Sequence, residues 1–207
     1  MKHLVLSALL VLVAACNNEP AKGKATATVA DPVVAAPLAA GVKLAFDPTG
    51  SKIEFVGAKV TGKHEGSFKT FAGTVQLVEG DPLKSQVSVE IDAASLVSDA
   101  ERLTGHLKSP DFFDVARFPK AKFASTAVKA GGEKGATHTV TGNLELHGVT
   151  KSVSFPASLK VTGDAVDVDA EFAINRKDFG LVYPGKPDDL IKDDVLIKLT
   201  IRAKKPG

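Results

Sequence analysis

Histidine and cysteine are the residues of this chain whose side chains could bind a metal ion or act as a base or nucleophile. The sequence has a single cysteine, Cys16, and after its signal-like start four histidines, His64, His106, His138 and His147. The histidines show neither HxxxH spacing nor a cysteine neighbour, so a zinc site has no support. No GxSxG turn frames a serine either. The spacing therefore predicts no catalytic site, no metal ion and no cofactor.

Paired aspartates at positions 188–189 and 193–194 are the other cluster with potential chemistry. Calcium ions bind clustered carboxylates, but Lys192 lies between these pairs and the spacing of an EF-hand loop is absent. We interpret the segment as a charged loop before the last strand. Nearby, Arg176 and Asp178 are expected to pair across a turn.

Cys16 ends a stretch, MKHLVLSALLVLVAAC, that has the layout of an export signal. Its apolar run is too short for a membrane span, which needs ~20 apolar residues. The ending VAAC resembles a bacterial lipobox, which implies cleavage before Cys16 and acylation of its sulfur and new amino group. We predict a lipoprotein signal peptide over residues 1–15 and attachment to a membrane through Cys16. Ordinary secretion with a free thiol is the alternative.

Residues 16–41 are expected to form the lipidated cysteine and a flexible tether. Prolines at 20, 32 and 37 would interrupt any helix, and no strand or helix period is visible. Extended at ~3.1 Å per residue, the tether could reach about 80 Å from the bilayer. Asn17 stands where an aspartate would favour inner-membrane retention, so we expect the outer membrane, with the protein facing the periplasm.

Charge gives no indication of a nucleic-acid partner. Lys and Arg number 26 against 24 Asp and Glu, a net charge of +2, and the basic residues are spread among carboxylates. Nucleic-acid binders concentrate basic charge on one face or stripe. Hydrophobic residues make up 44% of the chain, enough for an ordinary folded core.

From about residue 42 apolar and polar side chains alternate, which is typical of antiparallel strands with one buried and one solvated face. Turn sequences such as EGDP at 79–82 and TGD at 162–164 separate the alternating runs. The predicted strands cover residues 51–60, 71–78, 85–92, 120–128, 165–174 and 194–203, together with two runs within 141–158 that a turn at Gly148 separates.

One segment, residues 99–108, is predicted to be a short helix instead. Ser98 and Glu101 have the spacing of a capping box, and Leu103 and Leu107 would share one helical face. The loop that follows is rich in phenylalanine and is expected to pack beneath the helix.

About eight strands with one apolar face need closure, because open sheet edges invite aggregation. The predicted fold is therefore mainly β, an eight-stranded antiparallel barrel over residues 42–207 with one short helix. A barrel of this size is just wide enough to be filled by side chains or to hold one small ligand. Periodicity alone leaves both alternatives open.

Five segments in order resemble the YceI-like, polyisoprenoid-binding family of bacterial envelope proteins. The resemblance implies an extended, lipocalin-like barrel that holds a long isoprenoid or similar amphiphile in an apolar tunnel. The segments are GSFKTFAGTVQL (66–77), SVEIDAASLVSDAERLTGHLKSPDFFDVARFPKAKFAST (88–126), VTGNLELHGVTKSVSF (140–155), INRKDFGL (174–181) and DDVLIKLTI (193–201).

If the barrel holds such a tail, inward-facing apolar residues should line its tunnel, although each of them could equally be ordinary core. The residues predicted to bind the ligand are Phe55, Phe68, Phe71, Phe112, Phe113, Phe123, Leu144, Leu146, Val153, Phe155 and Phe172.

Three functions remain open at this point. The first is a non-enzymatic envelope lipoprotein that stores, transports or scavenges an isoprenoid-type lipid. The second is an enzyme or redox partner that acts on a quinone-like ligand in the barrel, for which only His64, His106 and His147 are candidates. The third is an interaction module with a packed barrel. The ligand's head group and the formation of a homodimer cannot be predicted.

Overall fold

A computed structural model of the chain describes residues 18–34, 37 and 40–206. The predicted signal peptide and Cys16 lie outside the described residues. Within them, no helix is both long and apolar enough to cross a membrane.

Strands dominate the described residues, and the single α-helix, α1, spans Glu101–Lys108. Short 3-10 turns occupy Ala93–Ser95, Glu133–Gly135 and Arg176–Phe179. The strands are β1 (Ala25–Thr26), β2 (Thr28–Ala30), β3 (Val42–Phe46), β4 (Lys52–Lys59), β5 (Gly62–Phe68), β6 (Phe71–Val78), β7 (Asp81–Asp92), β8 (Leu96–Ser98), β9 (Lys120–Ala130), β10 (His138–Leu146), β11 (Val149–Thr162), β12 (Ala165–Asn175), β13 (Gly185–Lys186), β14 (Asp189–Leu190) and β15 (Asp194–Lys204).

Eight antiparallel strands close into a barrel in the order β12-β11-β10-β9-β7-β6-β3-β15, and β15 pairs back with β12. The closing pair is long, from Ala165 opposite Lys204 to Asn175 opposite Asp194. The other edge of β15 pairs with β3 at Lys204 and with β4 over Leu196–Thr200, and β5 and β8 continue from β4. The prediction of a mainly β, eight-stranded antiparallel barrel with one short helix is confirmed.

The barrel has two different ends. One, which we call the helical end, carries the β4–β5 turn, the β10–β11 turn, α1 and the loop between β12 and β15. The other, the hairpin end, carries the β6–β7, β9–β10 and β11–β12 turns. This arrangement follows from the strand directions, because each antiparallel neighbour reverses the chain.

The helix begins later than its capping sequence suggested. Ala100 occupies the N-cap position and makes no side-chain cap bond. Ser98 instead lies in β8, where its hydroxyl donates to the carbonyl of Ala100 at 2.8 Å and contacts the Thr104 hydroxyl at 2.9 Å. Leu107 packs with Leu96 and Phe112 in a small apolar cluster at the helical end.

The N-terminal segment is part of the barrel wall, which corrects the tether prediction for its described residues. β11 and β12 pair only from Ser158 opposite Asp169 to Thr162 opposite Ala165, and they separate toward the helical end. There β2 pairs with β11 and β1 pairs with β12. Ala27 is buried in the core and its amide donates to the Ala173 carbonyl at 2.8 Å. Backbone groups left open by the separated strands thus gain hydrogen-bond partners from the segment.

Candidate functional site

A cavity of about 350 Å³ lies inside the barrel. Its wall is formed almost entirely by apolar side chains that alternate inward along the strands. Leu77 and Val128 line it toward the hairpin end, and Phe55 and Phe112 line it toward the helical end. The interior is therefore not filled completely by its own side chains.

Ten of the eleven residues predicted to bind a ligand line this cavity. Phe71 does not; it is buried in the apolar core, at the start of β6 opposite Ile91. Whether the other residues contact a ligand remains a prediction. The lining residues among the predicted set are Phe55, Phe68, Phe112, Phe113, Phe123, Leu144, Leu146, Val153, Phe155 and Phe172.

Three lining phenylalanine rings lie over glycines on a neighbouring strand. At each glycine an added Cβ would fall 2.0–2.4 Å from the Cζ atom of the ring, so only a residue without a side chain fits there. The rings are thereby held close to the barrel wall instead of extending across its interior. The pairs are Phe46 with Gly73, Phe55 with Gly66 and Phe123 with Gly142.

Ring contacts organise the remaining aromatic surface. Phe155 and Phe172 stack with centroids 4.3 Å apart, and Phe123 lies 5.8 Å from Phe155. Nearer the helical end, Phe68 contacts both Phe55 and Phe113 at 6.0 Å. Such contacts fix ring orientation and leave a rigid apolar wall.

Lys59 and His64 form a polar rim where the cavity reaches the surface beside the β4–β5 turn. Both line the cavity, and their side chains are 37% and 41% exposed. Gly57 pairs directly with His64, and a Cβ on Gly57 would meet no atom within 4 Å. Open space therefore lies next to the imidazole.

Each basic side chain of the polar rim already has a carboxylate partner. Lys59 donates to Asp189, and the His64 Nδ1 atom lies 2.9 Å from an Asp99 carboxylate oxygen. Hydrogen bonds from Lys59 and Thr61 lower the pKa of the Asp189 carboxyl. Burial alone would raise the pKa of Asp99, but its bonds to the Glu65 amide and His64 hold that pKa below its ordinary value.

The other candidate histidines have structural partners. His106 Nε2 lies 2.8 Å from an Asp111 carboxylate oxygen and its ring packs on Phe112 and Tyr183. His147 occupies the tight β10–β11 turn, with φ of 52°, and its Nδ1 lies 3.3 Å from the Phe179 carbonyl. Neither lines the cavity.

Arg176 is buried at the helical end and pairs with Asp193, which corrects the predicted pairing with Asp178. Its guanidinium donates to Asp193 at 3.1 Å and to the carbonyls of Lys192, Leu181 and Ile191. Burial lowers the pKa of Arg176 and the Asp193 charge raises it. These hydrogen bonds hold the loop between β12 and β15 in place at the helical end of the barrel.

The described part of the chain holds no group of three or more His, Cys, Asp or Glu side chains placed to bind a metal ion. The aspartates at 189 and 193, which lie in the two acidic pairs, instead bind Lys59 and Arg176, respectively.

The sequence matches the YceI-like domain family over residues 44–203. A UPF0312 protein of Pseudomonas putida strain W619 is 39% identical over 139 residues, which cover 64% of this chain and 71% of the relative. A UPF0312 protein of Pseudomonas fluorescens strain SBW25 is 38% identical over the same shares.

Solved structures share the fold. BcnA of Burkholderia cenocepacia superposes with a TM-score of 0.66 at 25% identity, over 77% of this chain and 99% of that one. A polyisoprenoid binding domain from Saccharophagus degradans gives a TM-score of 0.62 at 17% identity, over 79% and 98%. At 17% identity the likeness shows the fold alone.

Proposed function

The chain belongs to the YceI-like domain family, and from this premise we propose that it binds an isoprenoid-type or another long-chain amphiphilic lipid inside its barrel. It would store, transport or scavenge this lipid without changing it chemically. The observation that carries the proposal is the apolar cavity of about 350 Å³. In support, a structural neighbour from Saccharophagus degradans is described as a polyisoprenoid binding domain.

The chemistry of the cavity wall suits a hydrocarbon tail. Burial of apolar surface contributes about 25 cal/mol per Å², and such a tail needs few polar contacts. In the described residues no buried polar side chain lacks a hydrogen-bond partner. The interior therefore presents no unmet polar group to a ligand.

The cavity volume indicates how much of a tail fits. Ligand pockets typically have volumes of about 300–1,000 Å³, so this cavity is small. A long tail would therefore place only part of its length in the cavity as it stands.

The polar rim favours an uncharged head group. Lys59 and His64 are the basic side chains there, and each is paired with its own aspartate. A phosphate at the rim would have to displace Asp189 or Asp99, because the unpaired Lys63 does not line the cavity. A hydroxyl or a quinone carbonyl could hydrogen-bond to Lys59 and His64 without displacing a carboxylate. We therefore propose a prenyl alcohol or quinone type of ligand.

The sequence before the barrel supports an anchored protein. The stretch MKHLVLSALLVLVAAC has the layout of a lipoprotein signal. We propose that Cys16 is acylated and that the barrel is held at the outer membrane, facing the periplasm. Two or more acyl chains give stable anchoring without a membrane-spanning helix.

Native mass spectrometry tests lipid binding directly. The full chain carrying Cys16→Ser, which cannot be acylated on sulfur, is measured as purified and again after delipidation and addition of farnesol. One lipid molecule per barrel is the expected result. Absence of both co-purified lipid and farnesol uptake would contradict the proposal.

A matched pair of substitutions locates the bound lipid. Gly57→Leu adds an apolar side chain into the open space beside His64, and Gly105→Leu adds the same side chain on the exposed face of α1. Binding inside the barrel predicts that Gly57→Leu reduces farnesol affinity about tenfold or more, the factor for losing the contacts of one to two buried methylenes. Gly105→Leu should bind like the unsubstituted chain.

A second candidate function is redox chemistry on a quinone-like ligand. The observation that favours it is the Asp99–His64 pair beside the cavity, because a carboxylate on Nδ1 orients an imidazole for proton transfer. His64→Ala should then abolish quinone turnover with a membrane reductant while binding persists. Unchanged turnover, or no turnover in either protein, would leave lipid binding as the function.

A further inference from the structure

Asn18, the first residue that the structure describes, lies at the helical end of the barrel. The Asn18 side-chain amide donates to the carbonyl of Val60 at 3.1 Å, and Val60 is in the β4–β5 turn. Glu19 forms an ion pair with Lys192 at 3.4 Å. Cys16 precedes Asn18 by two residues, and two residues span at most about 7 Å. An acylated Cys16 would thus be held close to the helical end.

Exposed apolar side chains lie at this end of the barrel. Val60 and Leu190 lie side by side, because the Val60 amide donates to the Leu190 carbonyl at 3.1 Å. Val182 is exposed in the loop that precedes β13. We call Val60, Val182 and Leu190 the apolar patch. It adjoins the polar rim, since Lys59 is the residue before Val60.

Two lysines near the apolar patch are available to anionic lipid head groups. Lys63 in β5 and Lys186 in β13 are exposed, and neither forms an ion pair with any described residue. Lysines at a membrane surface contribute about 1 kcal/mol each toward binding anionic lipids.

We propose that the apolar patch rests on the surface of the membrane that holds the acylated Cys16, so that the polar rim opens toward the bilayer. The position of Asn18 and the short chain between it and Cys16 carry this inference, with the exposed Val60, Val182 and Leu190 as the contact surface. A lipid tail could then pass between bilayer and barrel without crossing water. The inference rests on acylation of Cys16 but not on an occupant in the cavity.

Quenching by brominated lipids measures which end faces the membrane. The full acylated chain is reconstituted in vesicles of phosphatidylethanolamine and phosphatidylglycerol, with a fluorescent label on Leu190→Cys or on Leu83→Cys. The two positions are matched, with side chains 50% and 47% exposed, but Leu83 follows the β6–β7 turn at the hairpin end.

The expected result is strong quenching at position 190 and little at position 83. Equal quenching, stronger quenching at 83, or failure of the chain to associate with the vesicles would overturn the proposal. Mass spectrometry of the Cys16→Ser chain decides lipid binding separately. Strong quenching at position 190 together with no bound lipid would contradict lipid binding but not the orientation. Bound lipid together with equal quenching at both positions would contradict the orientation but not lipid binding.

Measuring the rate of farnesol transfer from vesicles to the barrel tests whether the apolar patch helps the barrel to take up lipid from a membrane. Leu190→Asp should slow farnesol transfer from the same vesicles about tenfold, the factor for losing one inserted leucine, while farnesol affinity in solution is unchanged. Leu83→Asp is the matched control and should transfer normally. Equal rates for both variants would contradict a membrane-facing patch.

Discussion

Glycines shape this cavity as much as phenylalanines do. Phe55 is partly buried and would extend across the barrel if the opposite residue carried a side chain, but Gly66 leaves room for its ring at the wall. The same relation holds between Phe46 and Gly73. A residue without a side chain on one strand thereby determines the ring position on the next.

Gly66→Ala should destabilise the protein by about 1–3 kcal/mol, the usual cost of overpacking. The added Cβ would lie 2.2 Å from the Phe55 ring and force it toward the interior. Gly57→Ala is the matched control, because its Cβ meets nothing within 4 Å. That change should be neutral or stabilise by up to about 1 kcal/mol through reduced backbone entropy. Urea denaturation measures both.

A double substitution separates ring displacement from other effects. Phe55→Leu removes the outer ring atoms that the Cβ of Gly66→Ala would meet. Phe55→Leu should therefore lower the free energy of unfolding less in the Gly66→Ala variant than in the unsubstituted chain. Additive free energies, or a Gly66→Ala variant as stable as Gly57→Ala, would contradict this explanation of the wall.

Acid should weaken the attachment of β14 to the β4–β5 turn. Asp189 accepts hydrogen bonds from Lys59 and from Thr61, which lower its pKa below the ordinary value of 3.8. A carboxyl with a lowered pKa in the folded state contributes stability above its unfolded pKa, and this is lost as pH falls through the folded pKa.

The unfolding free energy of Asp189→Asn, measured against pH, tests this contribution. The variant should be less stable than the unsubstituted chain at neutral pH. The difference should shrink below about 3.8, the ordinary pKa, and disappear once the pH is below the lowered folded-state pKa. Asp188→Asn is the control, since Asp188 is exposed and makes no bond to a described residue. A difference that persists at low pH would contradict an ionic origin.

At the scale of elements, β1 and β2 complete the barrel wall where β11 and β12 separate. Ala27→Asp would bury an unpaired carboxylate in the core, which costs several kcal/mol. The segment should detach, and amides of residues 25–30 should lose hydrogen-exchange protection. Thr28→Asp adds the same charge at an exposed position and should retain protection. Equal protection in both variants would show that the segment does not contribute to the wall.

Alternation in the sequence predicted most strands because their inward positions are apolar. β6 was predicted with its observed bounds, Phe71–Val78. β5 was missed because its inward positions include Gly62, His64 and Gly66, which break the apolar pattern. β3 is short and lies beside a proline-rich segment.

The pairing of the N-terminal segment depends on tertiary contacts that no local pattern contains. β1 and β2 comprise two and three residues, respectively, too few for a period to appear. Their partners, β11 and β12, are more than a hundred residues away along the chain. Only the separation of those two strands, which the sequence does not reveal, creates the place for the segment.

At the scale of the whole molecule, barrel closure gives each wall strand two neighbours and leaves a largely apolar interior. Lys59 and His64 form the polar rim at the helical end, and Ser85 and Gln86 line the cavity toward the hairpin end. Family resemblance and alternation predicted residues that line the cavity, such as Phe123 and Phe172. The sequence could not distinguish a void from a solid core, because the void depends on cross-strand register that places phenylalanines over glycines. The location of the rim also required the fold, since Lys59 and Asp189 are distant in sequence.

The most direct test of lipid binding inside the barrel is photolabelling with a prenyl alcohol that carries a diazirine on its tail. The full chain with Cys16→Ser is irradiated with this probe, and labelled residues are identified by mass spectrometry. Binding in the cavity predicts label on lining residues such as Val168 and Leu199, abolished by excess farnesol. Label confined to exposed residues such as Val42 and Leu83, or label that farnesol does not reduce, would contradict it.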